Sequence, residues 1–167
     1  MSSQKLVEID SYLIRDYIKA NIGAALAEVR TDRADSMVTT EVPANYSFFE
    51  KAQGYKAPCV FIICTDVDFR KDEMNANFVN AAFRYTVSVV IEDRAEDYLT
   101  VKAWRYQAAL HKILDQTQLE DPSQSVKATL VVKNASFSPL FSNAGTAPQV
   151  FRKEVALEID VNHFESF

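Results

Sequence analysis

Residues 79–92 have the sequence VNAAFRYTVSVVIE, and the architecture follows from this stretch. Hydrophobic side chains occupy every second position from Val79 to Ile91, whereas polar side chains such as Arg84, Thr86 and Glu92 lie between them. A period of two places successive side chains on opposite faces of a strand. The stretch therefore predicts a long strand with one face in the core and the other face in polar surroundings.

The segments on either side of this strand predict its two neighbours. Residues 59–67, CVFIICTDV, follow Pro58 as a nearly continuous apolar run, which is typical of a strand covered on both faces. The two strands would form a hairpin with an acidic tip at residues 66–78. A helix is predicted at residues 96–115, with Glu96 and Asp97 at its positively polarised N-terminal end. Its core stripe consists of Leu99, Ala103, Tyr106, Leu110 and Ile113.

The two ends of the chain complete the pattern. Residues 9–29 predict an amphipathic helix, and residues 126–137 and 150–161 predict a second pair of strands joined by a loop at 138–149. The element order is then α-β-β-α-β-β. We therefore expect a single α+β domain over residues 1–167, with a mainly antiparallel four-stranded sheet and two helices packed on it. Residues 30–57 are predicted to form a long loop insertion.

Composition argues against several classes of protein. The 167 residues carry a net charge of −5 with no basic segment, so the electrostatic footprint of a nucleic-acid binder is missing. No apolar run reaches the roughly 20 residues that span a bilayer, and the first residues do not form a signal peptide. Cys59 and Cys64 are an odd number of residues apart, on opposite faces of one strand, so both are predicted to be unpaired core residues. We expect folding in a reducing cytoplasm and no membrane partner.

The sequence has no motif for catalysis or for a cofactor. Its two histidines, His111 and His163, lack a neighbouring nucleophile motif or a metal-ligand spacing. Counted from Asp66, the acidic tip has Lys71 and Asn77 where a calcium-binding EF-hand needs Gly and Glu. The tip is interpreted as a solvated turn, and a weak Ca²⁺ or Mg²⁺ contact is the alternative. We predict no catalytic residue, no metal and no cofactor, and hence no enzyme.

Apolar residues outside the expected core indicate contacts with other chains. The first helix has two apolar sides, one around Leu13 and one that includes Ile14 and Ile18. On the second helix, Trp104 lies opposite the core stripe. Either loop 30–57 covers Trp104, or Trp104 contacts a neighbouring subunit, where Trp is enriched among residues that carry binding energy. The candidate interface residues are Val101, Trp104, Ala108, Ile14, Ile18, Asp66, Asp68, Arg70, Asp72 and Asn143.

Several local sequences, taken in this element order, resemble a known family. They are APCVFI (57–62), FRYTVSVVI (83–91), DYL (97–99), WRYQAAL (104–110) and VALEIDV (155–161). With the amphipathic first helix, they resemble the tail terminator, or tail completion, proteins of long-tailed bacteriophages and related tail-like particles. The resemblance extends over roughly residues 5–163 and depends on pattern and element order.

The resemblance implies a structural virion protein. Such a protein forms a ring, usually a hexamer, that caps the tail tube, stops its polymerisation and offers a docking face to the head or neck. The implied partners are other copies of the chain, the tail tube protein and a neck or connector protein, with DNA only passing through the lumen. The implied location is the tail end or neck of the virion, after assembly in the host cytoplasm. A head-tail connector or neck component, a tube-like or baseplate subunit, and an enzyme with a site built from scattered residues are the alternatives.

Overall fold

Two helices and seven strands form in the part of the chain that the computed structural model describes, which is residues 3–34, 38–48, 55–71, 79–142 and 149–163. The elements are α1 (Ser3–Asp32), β1 (Asn45–Ser47), β2 (Cys59–Lys71), β3 (Val79–Asp93), α2 (Glu96–Leu114), β4 (Gln118–Asp121), β5 (Val126–Phe137), β6 (Phe141–Ser142) and β7 (Phe151–His163). The α+β class is confirmed.

All seven strands belong to one mixed sheet with the order β1-β2-β3-β7-β5-β4, in which β6 pairs with β7. The β1–β2 pair is parallel, and the other pairs are antiparallel. The four predicted strands are confirmed as β2, β3, β7 and β5, which form the centre of the sheet. The prediction of a four-stranded sheet is wrong, because β1, β4 and β6 add to it. These three strands have only 3, 4 and 2 residues, too few to show an alternation in sequence.

The described part of loop 30–57 packs against the rest of the chain. Val38 is buried, and β1 adds a parallel strand beside β2. The Asn45 side-chain amide donates to the Lys56 carbonyl at 2.9 Å, which ties β1 to the residues just before β2. The Phe48 ring meets the Tyr12 ring edge to face, with 5.2 Å between centroids. The segment is therefore partly a structural element of the sheet edge, which the single-loop prediction missed.

The helix α1 buries one main stripe rather than two equal sides. The completely buried positions Ile14, Ile18 and Ile22 follow one another at intervals of four residues, and Ala25, Leu26 and Val29 continue the stripe. On the side centred on Leu13, the side chains of Leu13 and Tyr17 are only partly buried. The hydrophobic core of the protomer therefore lies against the Ile14 and Ile18 side of the helix.

The sheet has an apolar inner face beneath the helices and a more polar outer face. The alternating residues of β3 are buried from Phe83 to Ile91, as predicted, and so are the inward residues of β7 from Val155 to Val161. On β2, Val60 and Ile62 join this core, whereas Cys59 and Phe61 form a small cluster with Val90 on the other face. Coverage of both faces of β2 is confirmed. Cys59 and Cys64 are both unpaired; Cys59 is buried, as expected, but Cys64 is only half-buried.

Candidate interaction surface

A groove of 410 Å³ lies on the outer face of α2, beside the end of α1. Its lining consists of Arg33, Val101, Trp104, Arg105 and Gln107. Trp104 is the most prominent member, because 54% of its surface is exposed. A large, rigid, amphipathic side chain with few rotatable bonds is well suited to binding another protein surface. We refer to these five residues as the Trp104 groove.

The opposite face of α2 holds this groove in position. Leu99, Ala103 and Leu110 are completely buried against the sheet and α1. The buried guanidinium of Arg105 donates through Nη1 to the Val38 carbonyl, and the Tyr106 hydroxyl donates to the Glu41 carbonyl. Burial raises the pKa of Tyr106, so its hydroxyl keeps its proton and remains a donor. Segment 38–41 is therefore fastened to the same helix that carries Trp104.

These contacts bear on the alternative that loop 30–57 covers Trp104. The described part of the loop folds back onto α2, but it contacts Arg105 and Tyr106, and Trp104 is more than half exposed. The described part of the loop therefore does not cover Trp104. Contact with a neighbouring subunit stays a prediction. Val101 lies in the groove with Trp104, whereas Ala108 is partly buried against the core and does not line the groove.

Two of the other candidate interface residues are corrected by the structure. Ile14 and Ile18 have no exposed surface, because the stripe they form packs on the sheet and α2. They are core residues of the protomer and are not accessible to a second chain. The sequence pattern failed here because two apolar sides of one helix look alike until the position of the sheet is known.

The remaining candidates were predicted at the tips of two hairpins. Asp66 is exposed on β2, and its Oδ1 accepts the backbone N–H of Val67 at 2.9 Å. Asp68 and Arg70 belong to β2 by their backbone, which extends the strand further into the predicted tip. Asp72 and Asn143 lie outside the described residues.

A buried pair of ionisable side chains was missed by the sequence prediction. Asp10 on α1 is 1% exposed, and its Oδ2 lies 2.8 Å from Nε2 of His163. His163, expected in a tail after the last strand, is the final residue of β7, and its ring meets Phe83 edge to face at 5.3 Å. One signal was available: Asp10 precedes Ile14 and Ile18 at intervals of four, so it lies on the buried stripe.

The surroundings of this pair do not resemble an activated nucleophile. Burial raises the pKa of Asp10, and the hydrogen bond and charge of His163 partly oppose this effect. Burial raises the pKa of the Cys64 thiol on β2, and the charge of Asp10 acts in the same direction, which favours the unreactive protonated form. The Tyr85 hydroxyl donates to the Val7 carbonyl at 2.9 Å. Asp10 and His163 thus form a buried contact that joins α1 to the end of β7.

Metal and membrane features were considered over the described ranges. Among those residues no group of three or more His, Cys, Asp or Glu side chains is arranged to hold a metal ion. No helix in the described ranges combines the length and the apolar character needed to cross a membrane. His111 is exposed on α2 and does not line the Trp104 groove. The absence of a cofactor and of enzymatic activity remain predictions.

The comparisons with known proteins give a structural likeness. No family model matches the sequence, and no curated protein matches it. The chain is similar to one chain of a solved virion of a native gene transfer agent (GTA) particle, with 14% sequence identity and a TM-score of 0.35. The alignment covers 90% of this chain and 98% of that chain. Identity and TM-score at this level do not establish a shared function.

Proposed function

We propose that this protein is a structural subunit of a phage-tail-like particle, and that it forms a ring at the end of the tail tube in the manner of a tail terminator. In this role it stops polymerisation of the tube and provides the docking face for the head or neck. Its partners are further copies of itself, the tube protein and a neck protein. Because the ring acts by assembly, the proposal requires contact surfaces rather than a catalytic centre.

The observation that carries the proposal is the exposure of Trp104 on a helix that is otherwise firmly packed. A Trp that is 54% exposed leaves a large apolar area in water, and burial by a second chain would recover roughly 25 cal/mol for each Å² covered. Arg33 and Gln107 surround it with hydrogen-bond donors, and the resulting mixture of an aromatic centre and a polar rim is common at protein interfaces. The sequence resemblance to tail terminators supports the same role.

The Trp104 groove is proposed to receive a second copy of the chain. A ring requires a heterologous contact, in which one surface of a subunit meets a different surface of the next. Among the described residues that line the groove, Arg33 is an exposed cation, so an acidic or carbonyl-rich surface of the neighbour would complement it. Acidic side chains outnumber basic ones in the chain, which has a net charge of −5.

The direct test combines the oligomeric state with electron microscopy. Native mass spectrometry of the purified protein, alone and mixed with tail tubes, should show a closed oligomer in at least one of these conditions. Negative-stain micrographs should then show rings, or a cap at one end of the tubes. A protein that remains monomeric at high concentration and does not bind tubes would contradict the proposal.

A measurement of tube growth distinguishes a tail terminator from the nearest alternative. A head-tail connector or neck component would also form a ring, but it would copurify with heads or necks and would not stop tube growth. Tube polymerisation in the presence of the protein is therefore the distinguishing measurement. Shortened tubes of limited length support a terminator, and unchanged tube lengths contradict it.

A further inference from the structure

The two long outer strands of the central sheet are only partly covered. On one side, β1 pairs with residues 59–61 of β2, whereas β2 continues to Lys71. On the other side, β4 pairs with residues 126–129 of β5, whereas β5 continues to Phe137. Within the described ranges no strand pairs with the outer edge of residues 63–71 or of residues 133–137. We call these segments the open half of β2 and the open half of β5.

Backbone donors in β5 show which groups face the open edge. Ser138 N–H donates to the Glu154 carbonyl at 2.9 Å, toward β7. Val132 N–H instead donates to Asp115 Oδ1 at 3.1 Å, away from β7. Because directions alternate along an antiparallel strand, the Phe137 N–H, next to that of Ser138, points to the open edge. Phe137 is also 42% exposed, so its ring can contact a neighbouring chain.

The open half of β2 is irregular near its start. A register shift between Cys64 and Asp66 interrupts the regular ladder with β3. Next to it, the exposed carboxylate of Asp66 accepts a hydrogen bond from the Val67 N–H. Natural proteins commonly protect exposed strand edges with bulges and charged side chains. In an isolated protomer these features would limit indiscriminate pairing.

The strand directions match if two copies stand side by side in the same orientation. The pairs β2–β3, β3–β7 and β7–β5 are all antiparallel, so β2 and β5 run in opposite directions. The β5 of a second copy placed beside β2 is therefore antiparallel to it. We propose that the open half of β2 in one copy pairs with the open half of β5 in the next, which joins their sheets. This inference rests on the proposed ring and adds a second contact between neighbouring copies to that of the Trp104 groove.

The register gives the geometry of this contact. Ala135, in the open half of β5, pairs with Leu157 of β7 and is therefore level with Ile62 of β2. Val67, in the open half of β2, is level with Val161 of β7. Val161 lies four residues beyond Leu157 along β7. Joining the two open halves therefore shifts each copy by four residues, or about 13 Å along the strands. Each copy adds four central strands, or about 19 Å across the sheet. The ratio of the shift along the strands to the width across the sheet corresponds to a strand tilt of about 35°. This value lies at the lower end of the tilts found in closed barrels.

This tilt favours closure over an open ribbon. A sheet that advances by about one residue per strand returns to itself as a barrel, whereas an unshifted sheet of many copies stays open and twisted. A heterologous contact that closes gives a ring of limited size. The partner is thus a second copy of this chain, recognised by its backbone as well as by its side chains.

The first experiment compares Phe137→Pro with Phe137→Ala. Both variants remove the exposed ring, but only proline also removes the backbone N–H that faces the open edge. Since no strand of the described ranges pairs with this N–H, both variants should unfold at similar temperatures. We expect Phe137→Ala to assemble within about threefold of the native chain, and Phe137→Pro to associate at least about tenfold more weakly. Equal assembly of the two variants would overturn edge pairing, and the proposed ring would survive.

A second experiment holds even if the proline variant folds poorly. The four-residue shift places Asp66 opposite Ser136 of the next copy, and both side chains are exposed on the outer face of their sheets. Mixed assemblies of an Asp66→Cys chain and a Ser136→Cys chain should therefore form a disulfide between the two chains on mild oxidation. Lys127→Cys is the matched control, because β4 covers that part of β5. Assembled particles without the mixed disulfide would overturn the inference, and a native chain that never assembles would overturn both the ring and its contact.

Discussion

Replacement of Trp104 by Ala distinguishes a surface that serves assembly from one that serves folding. A fully buried Trp replaced by Ala costs about 3–5 kcal/mol of folding stability. Trp104 is 54% exposed, so less than half of its area of about 250 Å² is covered in the protomer. At about 25 cal/mol for each Å², we expect the free energy of unfolding to fall by at most about 2–3 kcal/mol, with an intact fold.

Assembly should be more sensitive than folding to this change. If Trp104 is an anchor of the contact between copies, its loss costs about 2 kcal/mol or more per contact, which is about 30-fold in the association constant. Chemical denaturation measures the free energy of unfolding, and analytical ultracentrifugation over a concentration series measures the association constant.

Two variants on the same helix serve as controls for Trp104→Ala. Tyr98→Ala removes an aromatic side chain that is 40% exposed but does not line the groove, so assembly should stay near that of the native chain. Leu110→Ala, at a completely buried position, should lose about 2–5 kcal/mol of folding stability. Undiminished assembly of Trp104→Ala, or a loss of folding stability clearly above about 3 kcal/mol, would refute this reasoning.

Three further outcomes follow from the structure. Ile18→Ala should lower the free energy of unfolding by about 2–5 kcal/mol in urea denaturation, because Ile18 is a core residue; an unchanged midpoint would contradict its assignment to the core. EDTA should leave the melting temperature unchanged, whereas a shift of several degrees that Ca²⁺ reverses and Asp68→Ala abolishes would show a metal site. Burial, opposed by His163, raises the pKa of Asp10, so the stability that Asp10 contributes is present below the unfolded value of about 3.9 and is lost as pH rises through the folded pKa. The stability of the native chain relative to Asp10→Asn should therefore decrease as pH rises from about 4, and parallel profiles from thermal melts would contradict this.

The central part of the fold was predictable because it repeats a simple period. Strands β2, β3, β5 and β7 have 12 to 15 residues each. Alternation over such a length identifies β3 and β7, and β2 is identified by its nearly continuous apolar run. The short strands β1 and β4 were missed because three or four residues carry too few alternations. Their pairing is determined by the longer strand beside them, which is a tertiary effect.

The interaction surface was predictable only in part. Trp104 was recognisable because it lies opposite a well-defined core stripe on α2. Ile14 and Ile18 were misassigned because α1 is apolar over much of its circumference, so that its buried side depends on where the sheet lies. The pairing of Asp10 with His163 joins residues 153 positions apart, and no local pattern can indicate such a contact.

The position of β7 has a consequence for synthesis. This strand lies between β3 and β5 in the sheet, yet it leaves the ribosome after both of them. Until residues 151–163 have been translated, β3 and β5 have no common neighbour, and the sheet consists of two separate ribbons. The inward side chains of β7, among them Leu157 and Ile159, then complete both halves of the core in one late event. A chain that lacks this strand has nothing to hold β2 and β5 at a fixed distance, so it would lack the pair of outer edges that the proposed contact between copies requires.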